Sequence, residues 1–209
     1  KVDVYPFTPN IENVFYVPNN GGRAAFRPLA EPWTKPVLPS FKKRTARIAV
    51  GYAPSNRMWQ DGMYPEAILA LLDKAAELKP DLVLFSEQRV RTALNHPDVV
   101  RGLAAISRWA AARRTYVAVG GIGAEDNPAS HLRLWDRSGR LVYSQTIYWT
   151  GKGGVLTTFD TDFARIGVHS CGDLYTFPID RLQALQGAEL ILDPSQMWGA
   201  DGLHNETLL

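Results

Sequence analysis

Cysteine is almost absent from this chain of 209 residues: Cys171 is the only one. A lone thiol forms no internal disulfide, so the fold does not depend on an oxidising compartment. Charge of one sign is lacking too. Lys and Arg number 23 against 21 Asp and Glu, the net charge is +2, and no basic block exceeds "FKKR" at 41–44. Such a balance gives no polyanion surface, and no nucleic-acid partner is expected. No apolar run approaches the roughly 20 residues that span a bilayer, and the opening, which begins at Lys1, has no signal-peptide core. The chain therefore reads as soluble, with a cytoplasmic setting favoured and no membrane partner. Internal repeats and low-complexity tracts are missing as well. The glycine-rich pieces "GGIG" (120–123) and "GKGG" (151–154) lack the Lys-Ser/Thr ending of a phosphate-binding loop and open no helix.

What is present is an ordinary globular composition, 45% hydrophobic and 21% charged, enough to bury the core of one sizeable domain. Residues 1–44 are rich in Pro, Asn and Gly and show no sustained period, so they read as an extended arm or the tail of a preceding module. Regular patterning starts at residue 45. "ARIAVGYA" (46–53) predicts a strand, "YPEAILALLDKAAELK" (64–79) an amphipathic helix with Pro65 in its first turn, and "DLVLFSE" (81–87) a buried strand. "VVRGLAAISRWAAARR" (99–114) predicts a second helix and "TYVAVGG" (115–121) a third strand, giving the β-α-β-α-β order of a sheet with helical crossovers. Two strand pairs follow, a hairpin over 131–145 turning at Ser138-Gly139 and a pair over 155–171 turning at Thr161-Asp162. A helix ending at Gly187 and a last strand "LILDPS" come next. The final "LHNETLL" reads as a helix beginning, with Asp201 or Asn205 as cap, cut short as if the chain were a piece of a longer polypeptide.

Two apolar strands end in reactive side chains, Glu87 and Cys171. The C-terminal edge of strands in α/β sheets is where ligand sites collect, and parallel strands would bring both residues to one edge. The pairing makes chemical sense. A thiol with a reference pKa of about 8.5 is mostly protonated at neutral pH, and a carboxylate can take its proton and later return it to a leaving amine. Taken by itself, a single cysteine is more often a small buried hydrophobe. A rival grouping is His169, Cys171 and Asp173, whose alternation would put all three on one face of an extended backbone, as a metal site or a Cys–His dyad needs. No second His/Cys cluster supplies further ligands.

With these residues in hand, the chain resembles the carbon–nitrogen hydrolase, or nitrilase, superfamily over roughly residues 45–209. "PDLVLFSE" is similar to the family's strand leading into a catalytic Glu. "TFDTDFARIGVHSCGDL" is similar to the strand pair that ends in its catalytic Cys, with Asp two residues later, and "RLQALQGAELILDPS" to its helix, Gly-Ala-Glu turn and strand. The resemblance implies a four-layer α-β-β-α sandwich with mixed sheets, incomplete here at its C-terminal part, and homo-oligomers paired across helices. It implies no metal or organic cofactor. The implied activity is hydrolysis of a non-peptide C–N bond in a small amide or carbamoyl compound, with Cys171 as nucleophile, Glu87 as base and a thioester intermediate.

The third member of the family's triad is a lysine in a pattern like Tyr-x-Lys. The matching "YSQTIYW" puts Gln145 there. Gln can donate a hydrogen bond but brings no charge to an oxyanion. Lys152, the only lysine after Lys79, lies in the loop that follows and is the candidate replacement. No Glu occurs between Glu125 and Glu189, so the family's auxiliary Glu is absent as well, and "FPI" stands where "FPE" is usual. Gly172, through its N–H, and Tyr175 and Trp198, as aromatic walls, complete the expected pocket. The alternative expectation is a degenerate member of the same fold that binds a ligand or partner without turnover.

Overall fold

A computed structural model of the chain describes residues 37–42, 45–51, 64–90, 97–122, 131–146, 158–169, 173, 179–195, 197–198 and 204–205. Most of the expected N-terminal arm lies outside the described residues. The first sheet has five strands in spatial order β1 to β5: Ile48–Gly51, Leu82–Val90, Tyr116–Ile122, His131–Trp135 and Leu141–Thr146. The first three run parallel, and β4 and β5 are antiparallel to their predecessors. The crossovers carry helices α1 (Tyr64–Ala76) and α2 (Pro97–Arg113). The second sheet has β6 (Phe159–Asp160), antiparallel to β7 (Arg165–Val168), and β8 (Leu190–Leu192), parallel to β7. Helix α3 (Ile179–Leu185) links β7 to β8.

Alternation along the strands sorts the side chains into two cores. Ala49, Val83, Phe85, Val117, Val119 and Trp135 face α1 and α2, where Ile68, Leu72, Ile106 and Trp109 meet them. Leu82, Leu84, Ala118, Leu132, Leu134 and Tyr143 face the other way, against Ile166 and Val168 of β7 and Leu192 of β8. On the far side of the second sheet α3 packs on β7. Gln183, fully buried, lies over Gly167 and donates to the Val168 carbonyl at 2.6 Å. The layers are therefore α-β-β-α, as expected.

The two sheets run in the same direction. Near the start of β3, Tyr116 meets Phe163, which precedes β7, edge to face at 5.8 Å. At the other end, a Cβ on Gly120 would stand 2.9 Å from the ring of Pro194, two residues past β8. The N-terminal edge is tied by Arg137 from the β4–β5 turn. Its guanidinium donates to Asp81 at 2.9 Å, to Asp162 at 3.2 Å and to the Arg114 carbonyl, and lies 5.1 Å over the Tyr116 ring. Desolvation opposes the charge of Arg137, but these acidic partners hold its pKa above the ordinary value.

Helix ends follow the sequence signals. Pro97 and Asp98 open α2, and Lys74 and Arg113 lie in the last turns of α1 and α2. Gly187 follows α3 in the left-handed region at φ 92°, and Lys79 and Arg114 adopt the same hand, at φ 50° and 51°, after α1 and α2. Basic side chains occupy the exposed helix carbonyls here: Arg47 donates to the Leu78 carbonyl at 2.6 Å and Arg137 to that of Arg114. A cleft of about 260 Å³ between Lys79, Arg113, Arg114 and Arg137 is thus a meeting of capped helix C-termini.

In the final segment β10 (His204–Asn205) pairs antiparallel with β9 (Met197–Trp198), and residues 206–209, expected to begin a helix, lie outside the described residues. Asp201 lies outside the described residues. Among those residues no helix is long and apolar enough to cross a membrane.

Candidate active site

The candidate site is built at the C-terminal edge of the two sheets. In β2 the apolar run Leu82–Phe85 is paired residue for residue with Tyr116–Val119. The register then slips: Phe85 pairs with Val119, but Glu87 pairs with Gly120, leaving Ser86 as an extra residue. This bulge decides the face on which residue 87 falls. Strict alternation from Val83 and Phe85 would send it to the helix side; the slip instead aligns it with Gly120, which lies on the inter-sheet side opposite Pro194.

The same row continues across the sheet. Val119 pairs with Arg133, so Gly120 neighbours Leu132, and Leu132 pairs with Gln145 in β5. Leu132 belongs to the inter-sheet core, and a directly paired residue shares its face. Glu87 and Gln145 therefore occupy the two ends of one inter-sheet row, three strand spacings or about 14 Å apart. β7 ends at Val168, three residues before Cys171, at this same edge.

Cys171, Gly172, Tyr175 and Lys152 lie outside the described residues. Glu87 and Gln145 are placed by backbone register, and Trp198 by its place in β9. Arg133, only 6% exposed, falls on the helix side with Val119 and Trp135, so the sheet separates it from the row that holds Gln145.

Of the alternating His169, Cys171 and Asp173, Cys171 lies outside the described residues. Strand β7 stops at Val168, and buried Asp173 sits in a separate turn. The His169 imidazole turns to α3, with Nε2 3.3 Å from Oδ1 of Asp180. Among the described residues no three His, Cys, Asp or Glu cluster as a metal site requires. After β8, buried Asp193 accepts a hydrogen bond from the Ser195 hydroxyl, shaping the turn that brings Pro194 onto Gly120.

The sequence did not reveal the Ser86 bulge, the Gly120–Pro194 approach or the His169–Asp180 contact. The paired glycines of "AVGGI" were the one available sign, since glycine inside a strand marks a bulge or a close backbone approach.

Sequence comparison leaves the chain isolated: no protein-family model and no curated protein matches it. Structural comparison does not. A double mutant of the amidase from Nesterenkonia sp. AN1 in complex with acrylamide superposes with a TM-score of 0.62 at 15% identity, covering 79% of this chain and 70% of that one. The crystal structure of an amidase from Nesterenkonia sp. gives 0.60 at 16% identity over 78% and 70%. A cysteine-to-alanine mutant of the Nesterenkonia AN1 amidase, described as from the nitrilase superfamily, gives 0.61 at 15% over 78% and 70%. With the layer order, strand directions and residue row described above, the chain has the fold of a nitrilase-superfamily amidase.

Proposed function

We propose that the chain hydrolyses a non-peptide C–N bond in a small amide or carbamoyl compound, residues 45–209 forming the hydrolase domain. Cys171 is the nucleophile. Its thiolate attacks the carbonyl carbon, ammonia or an amine leaves with a proton returned by Glu87, and water activated by the same carboxylate cleaves the thioester to acid and free thiol. The observation that carries this reading is the slipped register of β2. It sets residue 87 on the inter-sheet side, at the edge where β7 leads toward Cys171. In glutamate mutants of the Nesterenkonia amidase, acrylamide undergoes Michael addition to the active site cysteine and the acetamide moiety of fluoroacetamide is added covalently there, so in that protein the cysteine is nucleophilic, as this reading makes Cys171. Gly172, Tyr175 and Trp198 are the proposed pocket residues, and self-association is part of the same reading.

A second reading, a ligand-binding member of the fold without turnover, is favoured by one observation: uncharged Gln145, which the sequence resemblance aligns with the family's lysine, lies in the same row as Glu87. Gln145 can still donate to an oxyanion but cannot match its charge, which weakens transition-state stabilisation. On the first reading Lys152 supplies the charge.

Ammonia release by the chain over a panel of aliphatic amides and carbamoyl compounds decides between them. Turnover abolished by Cys171→Ala and lowered at least 100-fold by Glu87→Gln supports the enzyme. The binding reading predicts no release by the wild type and its gain in Gln145→Lys. An iodoacetamide-resistant Cys171 in the folded protein sinks the enzyme reading.

A further inference from the structure

His169 and Asp180 stand at the two stems of the segment that carries Cys171. On one stem the His169 amide donates to the Leu192 carbonyl at 3.2 Å, extending the β7–β8 ladder by one residue. On the other, Asp180 lies in the first turn of α3. Between the stems the imidazole, its side chain 3% exposed, brings Nε2 to 3.3 Å from Asp180 Oδ1. Gln183, on the next turn of α3, donates to the Val168 carbonyl from a fully buried position. Among the described residues, His169 Nδ1 and Gln183 Oε1 have no hydrogen-bond partner. Aliphatic side chains would fill this layer without orphaned polar atoms, so packing alone is a poor account of a buried His and Gln here.

We propose that His169 and Asp180 are a positioning pair. By linking the end of β7 to the head of α3 they fix the separation of the two stems, and with it the place from which Cys171 approaches the Glu87 row. The inference rests on Cys171 being the nucleophile of the proposed reaction. The role assigned to both is to hold the stems, acting through Cys171 rather than on the substrate. Nε2 faces a carboxylate oxygen at 3.3 Å, so an oxygen at residue 180 is what the link requires.

The test uses the full chain and three measurements: kcat and KM for ammonia release, the iodoacetamide rate of Cys171, and hydrogen exchange of the amides of residues 170–178. Asp180 is 58% exposed, so its replacement leaves the core intact. Asp180→Ala is expected to lower kcat at least tenfold with KM changed less than twofold, to slow alkylation, and to raise exchange in 170–178 with little change in Tm. Asp180→Asn, which keeps an acceptor, restores most of each. His169→Leu added to Asp180→Ala has no further effect. Unchanged exchange and alkylation in Asp180→Ala, or a double variant whose effects simply sum, overturns the pair. A wild type that releases no ammonia counts against the proposed reaction instead, and exchange and alkylation then judge the pair alone.

Discussion

At the scale of single residues, the closest constraint on the candidate site is an absent side chain. Gly120 shares its row with Glu87 and sits against Pro194, whose ring carbons would be 2.9 Å and carbonyl oxygen 3.2 Å from an added Cβ. Neither a proline ring nor a backbone carbonyl can swing away, so the sheets themselves must part at this edge. Gly120→Ala is therefore expected to destabilise by about 1–3 kcal/mol through overpacking, less the few tenths to 1 kcal/mol returned by a stiffer unfolded chain. Urea unfolding measures the first effect. Slower alkylation of Cys171 reports the parting of the sheets at the site, and an unchanged midpoint with unchanged alkylation would refute the account.

At the scale of elements, the β4–β5 hairpin is held by its turn. Asp136 Oδ1 accepts from the Ser138 amide at 2.8 Å, the Ser138 hydroxyl at 2.6 Å and the Arg140 amide at 3.0 Å. Burial pushes the Asp136 carboxyl up, but these donors and the Arg140 charge outweigh it and hold the pKa below its ordinary value of 3.8. A depressed folded pKa means the unfolded chain binds the proton more readily. The turn's contribution is thus fully present above the ordinary value and is lost as pH falls through the folded one. Asp136→Asn is expected to be less stable than the wild type at pH 7, by about 1 kcal/mol, and indistinguishable from it once the wild-type carboxyl is protonated. Urea midpoints at pH 7 and pH 2 check the convergence; a gap that persists in acid would remove the carboxylate from the explanation.

Elements of this kind were readable in the sequence because their signals are local. The periods of α1 and α2, the Ser138-Gly139 and Thr161-Asp162 turns and the stop at Gly187 all appear where patterning put them. The four-layer architecture was readable through motif order. What escaped is non-local. A bulge after Phe85 depends on how β2 meets β3, and the β9–β10 pair depends on two short segments finding each other, so neither leaves a mark in its own few residues. Glu87 and Gln145 could be nominated from sequence, but their place in one row follows from pairings across four strands.

At the scale of the whole molecule, the aligned sheets have two different ends. One edge carries the Glu87 row and the approach to Cys171. The other is closed by Arg137, bridging Asp81 of the first sheet and Asp162 of the second, with Tyr116 beneath. Arg137→Met removes the cation between buried Asp81 and partly buried Asp162 and is expected to cost about 2 kcal/mol, less than for a fully buried pair because the guanidinium is a quarter exposed. The same variant is expected to leave the Cys171 alkylation rate within twofold of wild type, and a larger change would mean the two ends communicate. If they do not, the molecule avoids the usual trade between robustness and activity. Thermal hardening can be engineered at the clamped pole, by shortening or recharging the β4–β5 and β6–β7 turns, while the opposite pole is left free for selection on substrate range.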